Sequence, residues 1–233
     1  MYKRQGSCRN VRFENAEVIG YGSSCTGIVA GYLGTNALEC LIENVYVSGT
    51  VSGIQQVGGI GGIFAKGTVR NCYADVKVIG SSRAGGIVAE PRNAVVVENC
   101  FATGTLYSTG NAGGIAGGLN GNNPTIKGCI AWNEQIDGEP VSGRVIGWQS
   151  NTYTKATDCY AKKDMIIAWG PNKGMTGADA NTAGTYDWGN NKTAICHGIT
   201  TENSVDAAKK IGWSTDIWDL SGVTPLLKSF NDK

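Results

Sequence analysis

The sequence has little histidine and proline, no block of like charge and no long apolar run. It holds 1 His and 5 Pro in 233 residues, and 20 Lys and Arg nearly balance 19 Asp and Glu, for a net charge of +1. Proteins that bind nucleic acid present a basic face, so we expect no nucleic-acid partner. A membrane-spanning helix needs about 20 consecutive apolar residues, so we expect no membrane insertion.

The scarcity of histidine also limits the chemistry that the chain can perform. His197, the only histidine, follows Cys196, but neighbouring residues on a strand point to opposite faces and do not form a catalytic pair. Zinc sites use closely spaced Cys or His pairs, which are missing. Asp75, Asp137 and Glu139 do not recur at equivalent positions. The prediction is therefore a protein that is not an enzyme, with no catalytic residue, no metal and no cofactor.

Glycine, in contrast, is abundant, at 35 residues, roughly twice the usual share. Much of it belongs to a repeat in which a segment such as Val97–Ala102 (VENCFA) follows a glycine-rich one such as Gly85–Ala89 (GGIVA). The anchor positions of the first segment are 10, 44, 71, 99, 128 and 158, so the repeats are 27 to 34 residues apart. Such a period indicates a repeat architecture.

Each repeat contains short runs of Val, Ile and Tyr between Gly, Ser and Asn, which predicts strands rather than helices. We predict an all-β fold: a β-solenoid of about six coils over residues 1–161, and a Trp-rich irregular segment with a C-terminal mixed cap packed on it over 162–233. Asn203–Gly212 predicts one short helix in the cap. The apolar residues expected to cover the last open coil are Trp213, Trp218, Leu220, Leu226 and Leu227.

Equivalent residues of successive coils stack into columns, so each residue of a column must pack well against the equivalent residue of the next coil. Asparagine tolerates left-handed backbone and its amides can bond along the axis; the predicted ladder is Asn44, Asn71 and Asn99, preceded by Asn10. A second column is Cys72, Cys100, Cys129 and Cys159. Val11 and Val45 occupy it in the first two coils, which predicts buried thiols. One or two disulfides remain open among the other cysteines, Cys8, Cys25, Cys40 and Cys196.

The irregular segment holds the candidate ligand-binding residues, which are Trp169, Tyr186, Asp187, Trp188, Asn190 and Asn191. In one interpretation an aromatic ring stacks on a sugar while the polar side chains bond its hydroxyls. In the other, the aromatic residues form a small local core and the Asn-rich stretches are turns. A further alternative is a calcium site that uses oxygen ligands from Asp179 to Thr182.

The two alternating segments resemble the GLUG-motif repeats of bacterial surface proteins, most closely over residues 20–161, and residues 205–228 resemble the closing segment that follows such repeats in gut Bacteroidetes. The resemblance implies a right-handed solenoid and a cell-surface or secreted protein, often adhesin-like. It also implies that the repeats occur as accessory modules of large surface peptidases and carry no catalytic residues of their own.

Three hypotheses for function follow. The first is a non-catalytic, adhesin-like binding or spacer module; the second is a carbohydrate-binding module that uses the Trp and Asn loops; the third is the accessory region of a surface hydrolase or peptidase. The expected partners are a host glycan or extracellular protein and neighbouring domains of a longer chain. We expect the sequence to be a fragment whose export signal is not included.

Overall fold

The computed structural model describes residues 6–22, 25–35, 38–139, 142–148, 156–167 and 199–228. They form an all-β parallel solenoid of about five turns with one short helix, which confirms the predicted fold class. The sixth predicted coil is described only over 156–167. Among the described residues no helix has the length and apolar character needed to cross a membrane.

The strands follow one another coil by coil. Coil one holds β1 (Gly6–Gly20), β2 (Cys25–Gly27) and β3 (Ala30–Leu33), and coil two holds β4 (Cys40–Gly53), β5 (Gln56–Gly58) and β6 (Gly61–Phe64). Coil three holds β7 (Gly67–Arg70), β8 (Tyr73–Gly80), β9 (Arg83–Gly85) and β10 (Val88–Pro91), and coil four holds β11 (Val96–Glu98), β12 (Phe101–Thr103), β13 (Thr105–Ser108) and β14 (Asn111–Gly113). Coil five holds β15 (Thr125–Lys127), β16 (Ile130–Ala131), β17 (Gln135–Gly138) and β18 (Ser142–Gly143), and coil six holds β19 (Ala156–Thr157), β20 (Tyr160–Lys162) and β21 (Ile166–Ile167). The C-terminal elements are β22 (Ile199–Thr201), α1 (Ser204–Ile211), β23 (Trp218–Asp219) and β24 (Leu226–Leu227).

Strands of one coil pair in parallel with the equivalent strands of the next. A 14-stranded sheet forms most of the wall of the rod, and a five-stranded sheet (β18-β14-β9-β5-β2) and a three-stranded sheet (β10-β6-β3), together called the arm, form the rest. Buried residues of all three sheets belong to one hydrophobic core. Within the large sheet, residues alternate between the core and the surface; in β8, Val76 and Val78 are buried whereas Lys77 is exposed. This period of two is the reason that the Val- and Ile-rich runs form strands.

The large sheet has three faces, each defined by the stretches of strand that lie in it. The first face holds residues 7–9, 41–43, 68–70, 96–98, 125–127 and 156–157; the second holds 12, 46–48, 73–75, 101–103, 130–132 and 160–162; the third holds 17–19, 50–52, 77–79, 105–107, 135–137 and 166. A corner separates the first face from the second.

Left-handed backbone makes that corner in every coil. The residues with positive φ there are Asn10, Asn44, Asn71, Asn99, Gly128 and Asp158, at 51° to 59°. Asn44 Nδ2 donates to Asn10 Oδ1 at 3.0 Å, whereas Asn44 Oδ1 accepts no hydrogen bond. The side-chain hydrogen bonds therefore do not continue from Asn44 to Asn71. What the residues of this column share is the left-handed backbone conformation.

The paired glycines have a different role, because they allow two layers of the arm to touch. A Cβ on Gly85 would lie 2.1 Å from the carbonyl oxygen of Val88, and one on Gly86 would lie 2.1 Å from the carbonyl oxygen of Gly114. Neither glycine has a positive φ. Of the two explanations for paired glycines, left-handed backbone and close approach, the structure shows close approach.

Arg144 stands in coil five where coils two to four have the second glycine of the pair. It is buried, and its Nη1 donates to the carbonyl oxygens of Lys162 at 2.7 Å and Lys163 at 3.1 Å. Val145 and Ile146 after it remain fully buried. The arm of coil five therefore keeps the inward direction of the other coils despite the different sequence.

The C-terminal residues begin with the helix expected from the sequence. Asn203 caps α1, because its Oδ1 accepts hydrogen bonds from the backbone N–H groups of Val205 and Asp206, and Gly212 ends it with a φ of 84°. The helix lies against β16 and β20. The residues from 204 to 227 therefore pack on the second face, beside the rod, rather than over the open end where they were expected.

Two further details differ from the predicted division of the chain. β21 pairs with β17 and β22 pairs with β20, so the large sheet continues beyond residue 161. Leu226, expected in the apolar plug, is 52% exposed, whereas its neighbour Leu227 is buried and pairs with Trp218 across β23 and β24. In this antiparallel pair only one of two successive residues can face the rod.

Candidate functional site

The cysteine column lies inside the rod. Cys72, Cys100 and Cys129 are free thiols with no exposed surface. Each thiol donates to the carbonyl oxygen two residues earlier in its own coil, with Sγ to O distances of 3.1, 3.2 and 3.3 Å respectively. Cys159 makes the same contact at 3.3 Å. The thiols thus fill the same core position as Val45 while also bonding a backbone carbonyl.

Burial holds the Cys100 thiol in its neutral form. The pKa of Cys100 is raised well above its ordinary value, first by burial and then by the neighbouring thiols of Cys129 and Cys72. A thiol held neutral is a poor nucleophile and a poor metal ligand, because both roles need the thiolate. Within the described part of the chain, no group of three His, Cys, Asp or Glu side chains is placed to hold a metal ion.

The six ligand-binding candidates, Trp169, Tyr186, Asp187, Trp188, Asn190 and Asn191, lie outside the described residues. So do Cys196, His197 and the calcium alternative at 179–182. Their roles therefore stay predictions.

The first face carries charges that alternate along the axis. Its column runs Arg9, Glu43, Arg70, Glu98 and Lys127, one residue per coil. Glu43 Oε2 lies 3.7 Å from Arg9 Nε, and Glu43 Oε1 lies 2.5 Å from Arg70 Nη2. Like charges stacked at this spacing would repel each other, whereas alternating charges place each side chain next to one of opposite sign. Glu43 is thereby paired with the arginines of both neighbouring coils.

The acidic residues considered for catalysis lie on different parts of the rod. Asp75 is on the second face, where it accepts a hydrogen bond from Thr103 Oγ1 at 2.7 Å. Asp137 is on the third face in β17, and Glu139 is exposed just after that strand. Asp75 is thus separated from the other two by a change of face.

The second face carries a column of aromatic rings that the C-terminal residues cover. The ring centroids of Tyr46 and Tyr73 are 5.1 Å apart, and those of Tyr73 and Phe101 are 4.9 Å apart. Trp213 meets Phe101 edge to face at 6.3 Å and stacks on Trp218 at 4.4 Å. Trp213 and Trp218 are both buried. These tryptophans form a side core and offer no ring to a ligand.

A buried carboxylate lies where the arm meets coil four. Glu90 has no exposed surface; it forms an ion pair with Arg83, and its Oε1 lies 2.5 Å from Arg92 Nε and accepts from Asn120 Nδ2 at 3.0 Å. Burial, and then Arg92, lower the pKa of Arg83. The guanidinium of Arg83 also lies over the ring of Trp148, 4.6 Å from its centroid. This network ties coils three, four and five together.

Gly118 provides the space for that network. A Cβ there would lie 2.8 Å from Arg83 Cδ and 3.2 Å from Trp148 Cε3. In the column of the arm, Gly118 lies between Glu90 of coil three and Trp148 of coil five. The stem of Arg83 fills this gap. The cluster is consequently closed by its own side chains and is a structural tie between coils.

The third face is exposed and has a shallow depression around Tyr107. The depression is lined by Lys77 of coil three, Thr105 and Tyr107 of coil four, and Gln135 and Asp137 of coil five, with the buried Val78 and Leu106 beneath. Tyr107 is 47% exposed, and its neighbours in the column are Ile79 and Asp137. An aromatic ring and hydrogen-bonding side chains of several kinds therefore lie together around this depression.

The sequence contains the signal for this depression. Aligning the repeats on the buried residues Val78, Leu106 and Ile136 places Tyr107 between Ile79 and Asp137 in one outward column. The expectation of a ligand site rested instead on tryptophan and loop composition, which does not show which rings the fold leaves uncovered.

Comparisons with known proteins give one informative likeness. A similar solved structure is described as that of a "putative immunoglobulin A1 protease" from Bacteroides ovatus; it is 27% identical, with a TM-score of 0.74. The likeness covers 96% of this chain and 69% of that chain. The chain matches no protein-family model and no curated protein.

Proposed function

We propose that this chain is a non-catalytic binding module of a bacterial cell-surface or secreted protein. In this proposal its role is adhesin-like, and it accompanies a hydrolase or peptidase region elsewhere in a longer chain. The resemblance of its repeats to GLUG-motif repeats supports the location. The alternative, in which the rod only spaces other domains, uses the same fold without a ligand.

The observation that carries the proposal is how the rod uses its polar and reactive side chains. The thiols of Cys72, Cys100 and Cys129 bond backbone carbonyls in the core, and Glu90 is enclosed by its ion pairs. These groups are therefore committed to contacts inside the rod. The third face, by contrast, presents unburied side chains on a rigid sheet, which suits binding by surface contact.

The likeness to the Bacteroides ovatus protein supports the accessory role. That protein is described as a "putative immunoglobulin A1 protease", and this chain is similar to it over 96% of its length. A module that binds the same kind of target as a neighbouring catalytic region raises the local concentration of that target. Immunoglobulin A1 is therefore the first probe to use.

The test measures binding and cleavage of one probe. The purified chain is immobilised and immunoglobulin A1 is passed over it; in parallel, the two are incubated and the products are analysed by mass spectrometry. We expect reversible binding and no new fragments. Cleavage that depends on the chain and is lost in His197→Ala or Asp137→Asn would overturn the non-catalytic role. No binding of immunoglobulin A1 would count against the accessory binding role and favour the spacer alternative.

A further inference from the structure

We propose that the depression around Tyr107 on the third face binds an uncharged saccharide. The inference rests on the proposed function as a binding module and names a ligand class for it. It uses residues of coils three to five and is independent of the tryptophans and asparagines considered in the sequence.

The exposed ring of Tyr107 provides the apolar contact. Pyranose rings present a face of C–H groups that packs against an aromatic ring, and an aromatic side chain offers a large rigid surface for such a contact. The strand under the ring is well supported, because Leu106 and Val78 are buried in the core. Tyr107 is thus held on a surface that needs no rearrangement to bind.

The side chains around the ring match hydroxyl groups, which both donate and accept hydrogen bonds. Lys77 donates, Asp137 accepts, and Thr105 and Gln135 can do both. The positive charge of Lys77 and the negative charge of Asp137 balance, so the lining has no net charge. A strongly anionic or cationic ligand would gain little from such a surface, whereas a neutral polyhydroxylated one finds partners for several groups.

An extended peptide fits this surface less well. Peptides commonly bind sheets by adding a strand to a free edge, where unpaired backbone groups are available. β13, which carries Tyr107, is already hydrogen-bonded to β8 on one side and to β17 on the other. The backbone is therefore occupied, and recognition must come from side chains, which favours a ligand with many hydroxyls over one that needs backbone pairing.

The experiment compares sugars and variants. The intact chain is applied to a printed array of neutral oligosaccharides of hexose and N-acetylhexosamine and their sialylated and uronic-acid counterparts, and the strongest neutral binder is then titrated by calorimetry. We expect binding to neutral sugars, a loss of affinity of roughly tenfold or more in Tyr107→Ala, and retention within about threefold in Tyr107→Phe, which keeps the ring. Asp137→Ala should also weaken binding.

Tyr32→Ala is the matched control, because Tyr32 is 53% exposed and lies on the arm, away from the third face. Its affinity should equal that of the wild type. Unchanged affinity in Tyr107→Ala, a preference for the acidic sugars, or no sugar bound on the array would each overturn the site. If no sugar binds but immunoglobulin A1 does, the saccharide site is wrong and the proposed function stands. If the chain cleaves immunoglobulin A1, the proposed non-catalytic function is wrong, and the saccharide site is not affected.

Discussion

At the scale of single residues, Glu90 shows how this rod keeps its coils in register. Its carboxylate is fully buried between the guanidinium groups of Arg83 and Arg92. Burying a charge is unfavourable unless it is paired and hydrogen-bonded, and removing one partner leaves the others uncompensated. The two ion pairs lie within coil three, and the hydrogen bond from Asn120 and the contact of Arg83 with the Trp148 ring connect them to coils four and five.

Glu90→Gln should therefore destabilise the chain by about 3 kcal/mol or more. Chemical denaturation followed by circular dichroism measures the change. Glu14→Gln is the matched control, because Glu14 also pairs with an arginine two residues away, Arg12, but its side chain is 57% exposed. Such a surface pair contributes about 1 kcal/mol or less. Equal midpoints for the two variants would show that burial of Glu90 has no energetic effect.

At the scale of elements, the corner between the first and second faces depends on left-handed backbone. Asn71 has a φ of 52° there, and its backbone N–H donates to the carbonyl oxygen of Glu98 in the next coil. Asparagine tolerates this conformation and glycine has no Cβ to oppose it. Gly128 takes the same place in coil five.

Asn71→Ala should consequently lower the free energy of unfolding by about 1 to 2 kcal/mol, the usual penalty for left-handed backbone at a residue with a Cβ. Asn71→Gly should lie within about 1 kcal/mol of the wild type, because it keeps the conformation while losing only the side chain. Denaturant titration of both variants measures the difference. An alanine variant as stable as the glycine variant would mean that the corner imposes no strain.

The elements also show how far the sequence can predict. The Asn corners, the thiol column and α1 follow from local properties: tolerance of positive φ at Asn71, the exchange of Cys100 with valine in other repeats, and the Asn203 and Gly212 caps. The Arg83 and Glu90 pair could not be predicted in this way. It depends on Gly118 of the following coil leaving room for a side chain, and the sequence does not show such contacts between layers.

At the scale of the whole molecule, the C-terminal residues determine which face remains open. α1 and the β23 and β24 pair cover the aromatic column of the second face, where Trp213 Nε1 donates to the carbonyl oxygen of Gly128 at 2.9 Å. On the first face, Glu43 forms ion pairs with Arg9 and Arg70. The third face is left with the half-exposed Tyr107, around which we propose the saccharide site.

Trp213→Ala should loosen the attachment of 204–227 to the rod. Removing a buried tryptophan typically lowers stability by about 3 to 5 kcal/mol, and in repeat proteins such losses can act locally, because each unit contacts only its neighbours. Hydrogen exchange measured by mass spectrometry should become faster in peptides of 204–227 and stay unchanged in β8 and β13. Leu226→Ala, at a half-exposed position of the same segment, is the control and should change neither. Uniformly faster exchange throughout the chain would contradict local detachment.

The sequence by itself determined the path of each coil. The spacing of asparagine, glycine and β-branched residues sets local backbone conformation and the alternation of core and surface, and these properties repeat in every coil. Only the tertiary structure decided where the C-terminal residues dock, that the paired glycines serve close approach, and that Tyr107 rather than Trp213 is exposed. The physical reason is that burial depends on which surfaces meet across coils, and residues far apart in the sequence determine those contacts.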